Sequence, residues 1–189
     1  GLAEPTNWEE EKANCGKIVA SGRACYTIGT KYLWTAGGWF DYLNMRTNGF
    51  DFHMDLAAGN VSWEDDRVKQ TFMNWKELID MGGFIADHQT YSWQEALPFM
   101  VNGEAASYLM GNFAVAPLRE AGLTDDQLDF YQFPVINPDA VPYTPPPLPP
   151  SRPLSSSPFP PPPPILTRQP GQFHQCAKSS SARVRHFDF

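Results

Sequence analysis

Ala105-Ala106-Ser107-Tyr108-Leu109-Met110, with the Gly111-Asn112-Phe113 that follows it, decides the fold class. Six small or apolar residues without a charge read as a strand, and Gly-Asn is a turn signal. Phe113 to Leu118 then reads as a helix. Outward from this unit the alternation continues. Upstream, Ser92 opens a helix through Glu95, Ala96 and Phe99. Downstream, Leu128 to Val135 reads as a last strand. Strands alternating with helices imply an α/β chain, helix-rich, with a small sheet.

The first ninety residues fit the same class. Thr6 is placed to cap a helix reaching about Ala20, and Glu9 three residues on completes a capping box. Cys15, Ile18 and Val19 fall among its buried residues, and Ser21-Gly22 ends it. Ala24 to Ile28 is a short strand stopped by Gly29. Thr35 caps a helix to about Thr47, with Asn48-Gly49 as the stop. Gly49 to Leu56 forms a second short helix that ends at Gly59. Ser62 caps a long amphipathic helix with Val68, Phe72, Trp75 and Leu78 at helical spacing and Gly82-Gly83 at its end. No internal repeat is evident.

Near residue 142 the character of the chain changes. The stretch from Pro142 holds 14 of the 19 prolines, none of the six tryptophans and one acid, Asp188. Its formal charge is +4, against -11 for the residues before it. Residues 1–141 are therefore read as the folded part and 142–189 as a proline-rich, low-complexity tail, for which polyproline II or disorder is expected. About 140 residues suffice for one domain with a real core. An acidic folded part argues against nucleic acid as partner. No apolar run reaches the ~18–20 residues of a membrane span. Gly1-Leu2-Ala3-Glu4-Pro5 has neither a basic nor an apolar signal region. With no initial Met, the sequence reads as a fragment or a processed product.

Residues that could carry chemistry are few. His53, His88, His174 and His186 form no HExxH pairing, and with Cys15, Cys25 and Cys176 they fit no zinc spacing, so no metal is expected. Cys15 and Cys25 read as small buried hydrophobes, or as a bridge if the protein is exported. Glu64-Asp65-Asp66 suits the first turn of a helix, where negative charge meets the positive end of the dipole. No serine stands in a nucleophile elbow, and the Gly pairs match neither a phosphate loop nor a dinucleotide fingerprint. Neither an enzyme nor a cofactor is expected. What remains is aromatic. Tyr32, Trp34, Trp39, Phe40 and Tyr42 cluster, as do Tyr108 and Phe113. Flat rings suit both core packing and the C–H faces of sugars, and the residues alone leave both open.

Pro5-Thr6-Asn7-Trp8-Glu9, Gly38-Trp39-Phe40-Asp41-Tyr42-Leu43, Arg46-Thr47-Asn48-Gly49 and Val61-Ser62-Trp63 follow one another in order. Trp75-Lys76-Glu77-Leu78, Ser92-Trp93-Gln94-Glu95-Ala96 and Ala105 to Asn112 complete the series. In this order the chain resembles the extracellular solute-binding proteins of bacterial carbohydrate ABC transporters, over about residues 1–141. The resemblance implies a periplasmic-binding-protein-like fold of type II, of which this stretch would be mostly one lobe, the second. It implies a function in binding a mono- or oligosaccharide between two lobes and delivering it to membrane permease subunits. It also implies a periplasmic or extracellular location, cell-surface lipoproteins included.

Two places carry the ligand in the family pattern. One matches Trp34, Trp39 and Asp41; the other matches Gly111, Asn112 and Phe113. The family often has Trp where this chain has Phe113, so a stacking face is kept and an indole N–H is lost. Arg46 is read as a structural ion-pair residue. Beyond Val141 the resemblance ends, which fits a reading-frame shift near codon 142. The alternative is a stand-alone protein-interaction module whose proline-rich tail is real. With one lobe absent, weak sugar binding and an exposed apolar interlobe face are expected.

Overall fold

Glu9, Glu10 and Glu11 fill the first turn of α1 (Trp8–Ala20) and Lys17 its last, the distribution that a helix dipole favours. The structure, a computed structural model, describes residues 2–140. The proline-rich tail expected over 142–189 lies outside the described residues, as does the interaction module built on it. The cap of α1 is Asn7, not Thr6. Its side-chain oxygen accepts from the Glu10 N–H at 3.0 Å. Glu10 in turn accepts from the N–H and the hydroxyl of Thr6, each at 2.8 Å. The expected box is therefore displaced by one residue, because Asn outranks Thr as a cap. Trp8, Glu11 and Cys15 form the buried stripe of this helix.

Ser21-Gly22-Arg23 turns the chain into β1 (Ala24–Thr27), which pairs in parallel with β2 (Ala105–Tyr108), Tyr26 opposite Ser107. On its other edge, the Tyr26 N–H donates to the Gly83 carbonyl at 2.8 Å and its carbonyl accepts from Ile85 at 3.1 Å. β1 is thus the middle of the small sheet. The strand expected over Leu128–Val135 is not formed. Val135 alone bridges backbone, to Asn7. A cavity of about 280 Å³ stands between β2 and the segment around 127–134, so that segment has no ladder to join.

Four helices connect the strands: α2 (Trp34–Asn48), α3 (Phe50–Ala57), α4 (Asp66–Asp80) and α5 (Leu97–Val101). Thr35 does not cap α2. It is buried in the first turn, where its hydroxyl donates to the Gly29 carbonyl at 2.6 Å, and Leu33 precedes the helix with a left-handed φ of 56°. Ser62 does not cap α4. Its hydroxyl accepts from the Glu64 N–H in the preceding turn. The cap is Asp65, which accepts from the Arg67 N–H at 2.9 Å, and the Arg67 guanidinium and N–H hold its carboxyl down at about 2. A carboxylate at this position accepts charge-assisted bonds, which a serine hydroxyl cannot match. Val68 and Leu78 are buried as the helical spacing requires, whereas Phe72 is 48% exposed. Ser92 and Glu95 do form a reciprocal box, at 2.7 and 3.2 Å, but the regular helix α5 starts only at Leu97. Pro98 has no N–H to close the preceding turn. After β2, a 3₁₀ turn at Asn112–Ala114 leads into α6 (Val115–Glu120).

The main core gathers Trp8, Cys15, Cys25, Tyr26, Ile28, Trp39, Leu43 and Leu78. A polar seam joins α2 to α4. Asn48 donates to the Thr71 hydroxyl at 3.0 Å, and Asn74 donates to the Thr47 hydroxyl at 2.9 Å. Arg46 makes no ion pair among the described residues. Its backbone carbonyl instead accepts from Asn137, at 3.0 Å.

Glu11 sits under the sheet, 2% exposed, accepting from the Tyr26 hydroxyl through one oxygen while the other finds no partner among the described residues. Burial raises its pKa above the ordinary glutamate value of 4.5. The folded state therefore holds the proton more tightly than the unfolded chain. Stability from this group is present below pH 4.5 and is lost as pH climbs through the raised value. Glu11→Gln, which keeps the shape and removes the charge, should flatten the pH dependence of the urea midpoint above pH 4.5. A midpoint that varies with pH as steeply as in the parent would contradict this account.

Candidate functional site

Gly29 leaves β1 so close to a second chain segment that a side chain there would collide with the carbonyls of Tyr91 and Ser92. This contact begins a strap. The Thr30 N–H donates to the His88 carbonyl at 2.9 Å, the Thr30 hydroxyl meets His88 Nδ1 at 2.8 Å, and the Lys31 N–H donates to Tyr91 at 3.0 Å. The strap holds up a loop whose tip, Tyr32-Leu33-Trp34, is exposed, with Trp34 48% open to solvent. Lys31 lies 5.7 Å from the centre of the Tyr32 ring.

The same 88–93 segment supports the second loop. The Tyr108 hydroxyl, at the end of β2, donates to the Trp93 carbonyl at 3.0 Å. The Trp93 ring meets Phe113 edge to face, centroids 5.2 Å apart. Phe113 is 52% exposed, and its ring lies over Gly111, where a Cβ would stand 2.5 Å from Phe113 Cε1. Gly111 has a φ of -70°, so the backbone does not demand glycine and only the ring above it occupies the space of a side chain. Asn112 is exposed at the start of the 3₁₀ turn. One segment thus carries two half-exposed aromatic edges, Trp34 on one side and Trp93–Phe113 on the other.

The geometry of α2 sorts the other expected residues. At about 100° per residue, Trp34 and Asp41 project within about 20° of each other, whereas Trp39 projects about 140° from Trp34. The structure agrees. Asp41 is exposed on α2, two turns beyond Trp34, and its carboxylate is 3.8 Å from His53 Nε2. Trp39 is 1% exposed. Tyr26, Phe84 and Phe133 meet it edge to face, and Trp75 stacks on it at 6.2 Å. A ring packed on this many sides has no face left for a ligand, so the expectation that Trp39 stacks on one is corrected to a place in the core. Trp93 was not foreseen. Its only sequence signal was an aromatic residue directly after the Ser92 cap, read there as part of a helix.

A second concavity lies across β2. It is the cavity of about 280 Å³, lined by Tyr26, Ser107, Tyr108, Met110, Phe130 and Tyr131 among others. Burial raises the pKa of each of its three tyrosines, Tyr26, Tyr108 and Tyr131. No group of three His, Cys, Asp or Glu side chains suited to a metal occurs among the described residues. No helix among them is long and apolar enough to cross a membrane.

Residues 1–157 match the family described as bacterial extracellular solute-binding protein. Two uncharacterized ABC transporter extracellular-binding proteins of Pyrococcus horikoshii are 24% identical to this chain, over 106 and 136 residues. These stretches are 56% and 71% of this chain but 24% and 30% of the relatives. Among solved structures, the chain is similar to the bacterial solute receptor AcbH, described as exclusive for β-D-galactopyranose. The likeness has 31% identity and a TM-score of 0.65, over 73% of this chain and 35% of that one. A chitin oligosaccharide binding protein (24% identity, TM-score 0.65) covers 71% of this chain and 34% of its own. A protein of xylan utilization from Caldanaerobius polysaccharolyticus (21%, TM-score 0.67) covers 71% and 35%. Both of these show the fold. The chain spans about a third of the solved relatives. It belongs to the bacterial extracellular solute-binding protein family, and its described residues form one α/β lobe of the periplasmic-binding type.

The two glycines of the site predict different outcomes. Gly29→Ala drives a methyl group into fixed backbone and should cost about 1–3 kcal/mol in urea unfolding, the range of overpacking. Gly111→Ala meets a surface ring that can swing away, so its stability should be nearly that of the parent while the Phe113 ring is displaced. Equal losses at the two positions would contradict this reading.

Proposed function

We propose that this chain supplies one wall of the sugar site of a bacterial carbohydrate ABC importer's binding component. The ligand would be a mono- or oligosaccharide held between this lobe and a second one. The closed protein would then hand the sugar to membrane permease subunits. Closure of two lobes around a ligand is a hinge motion. The observation that carries the reading is the pair of half-exposed aromatic edges, Trp34 and Trp93–Phe113, fixed to one backbone strap. Exposed aromatic rings grouped on a braced surface suit a ligand-binding face.

The roles follow from the chemistry of each side chain. Trp34 and Phe113 offer ring faces to the apolar C–H faces of a pyranose. Asn112 has both a donor and an acceptor for hydroxyl groups, and Asp41 is an acceptor for them. Gly111 lets the Phe113 ring lie flat against the turn. Trp39 acts from beneath, by seating α2. Nothing in this scheme makes or breaks a covalent bond, so the role is binding and transport. The location is periplasmic or extracellular, as the family's is.

The test is calorimetry and tryptophan fluorescence with galactose, xylo-oligosaccharides and chito-oligosaccharides. It is run on this chain and on a protein extended to the length of its relatives. The extended protein should bind one of these sugars, and this chain far more weakly, because half the contacts are absent. In the extended protein, Trp34→Ala and Phe113→Ala should each weaken binding about tenfold, equivalent to about 1.4 kcal/mol. Saturable binding of an amino acid or peptide, with no response to any sugar, would refute the proposal.

A further inference from the structure

Cys15 and Cys25 come from different elements yet occupy one core cluster, 0% and 2% exposed. Cys15 lies on the buried stripe of α1, one turn beyond Glu11, whose carboxylate already reaches the Tyr26 hydroxyl of β1. The Cys15 sulfur is packed against Gly83, only 3.0 Å from where a Cβ would stand. Gly83 is the residue whose carbonyl takes the N–H of Tyr26, next to Cys25 in β1. The Cys15 thiol thus packs against the segment that pairs with β1 beside Cys25. The neighbouring Cys15 thiol, together with burial, pushes the Cys25 pKa up. Both sulfurs are free thiols in this structure.

We propose that Cys15 and Cys25 are a disulfide site, closed when the chain folds in an oxidising compartment. The family is extracellular, and in that environment adjacent thiols do not stay reduced. In the reaction, one cysteine thiolate attacks a protein or small-molecule disulfide and forms a mixed disulfide. The second thiolate then displaces the leaving thiolate and closes the Sγ–Sγ bond. Two protons and two electrons leave the pair, and the oxidant's disulfide is reduced to two thiols. Once α1 is packed, burial denies both thiols to an attacking reagent. Closure therefore belongs to folding, before α1 covers the sheet, and the bond afterwards pins the first helix to the central strand.

The test uses the full chain, secreted into an oxidising compartment and then denatured in N-ethylmaleimide to block free thiols. Trypsin cuts after Lys12, Lys17, Arg23 and Lys31, which places Cys15 in peptide 13–17 and Cys25 in peptide 24–31. The two peptides should travel as one species, two hydrogens lighter than their sum, and separate on reduction. Protein refolded with oxidised glutathione should melt at a higher temperature than protein refolded in reductant. The reduced, folded protein should resist alkylation until it is unfolded. Alkylated Cys15 and Cys25 in the secreted protein, or a link from either to Cys176, would overturn the proposal. Fast alkylation of both thiols in the reduced, folded protein would overturn the packing on which it rests.

Discussion

Everything in this lobe leans on the packing of one indole. Trp39 touches β1 through Tyr26, α4 through Trp75, the edge after α4 through Phe84, and the return segment through Phe133. A buried aromatic of this size is among the largest single contributions to a core, about 3–5 kcal/mol if truncated. The packing has a counterweight. The indole N–H groups of Trp39 and Trp75 have no acceptor among the described residues, a cost of about 1–3 kcal/mol each. Apolar burial has to exceed that cost. The consequence for function is positional: seating Trp39 fixes the rotation of α2, and that rotation sends Trp34 and Asp41 outward.

The candidate site depends on a second constraint of another kind, which is backbone proximity. The strap from Gly29 to Lys31 against residues 88–92 consists mostly of main-chain hydrogen bonds. Such bonds hold position with little side-chain entropy to lose, and they permit the tip residues to stay exposed. Leu33 keeps its left-handed backbone there, a conformation that a branched aliphatic residue avoids unless its surroundings impose it. The same segment carries Trp93 against Phe113. One strip of backbone therefore braces both aromatic edges.

Much of this was legible in the sequence, and the failures have physical causes. Long helices with an apolar stripe, α1 and α4 above all, announce themselves, because periodicity integrates over many residues. Their starts do not. Thr6 competes with Asn7, and Ser62 with Asp65, and the winner depends on hydrogen bonds that only the folded turn supplies. Leu128–Val135 has strand-like residues, but a strand exists only with a partner, and β2 stands a cavity's width away. Trp34 and Phe113, which the family resemblance singles out, are exposed in the structure, as a stacking role would need. Trp39 was misplaced although the helix period alone separates it from Trp34 by about 140°. Trp93 was missed because its position depends on the loop contact at Gly29, which joins residues far apart in sequence.

The proposed division of labour between the two walls of a sugar site also follows from these constraints. Each wall taken alone presents rings and a few polar groups to water, where hydroxyl groups of a sugar gain little by exchanging one hydrogen-bond partner for another. Only when a second wall excludes water do directed bonds and ring contacts add up to affinity. A single lobe can then be well folded and fully formed at its rim, as this one is, and still bind weakly. The rigidity of the strap matters for the closed state, since rings already in place need not be ordered when the lobes meet. In the proposed site, the core built around Trp39 and the exposed rings of Trp34 and Phe113 would be parts of one arrangement, a preorganised surface that acts once a second wall covers it.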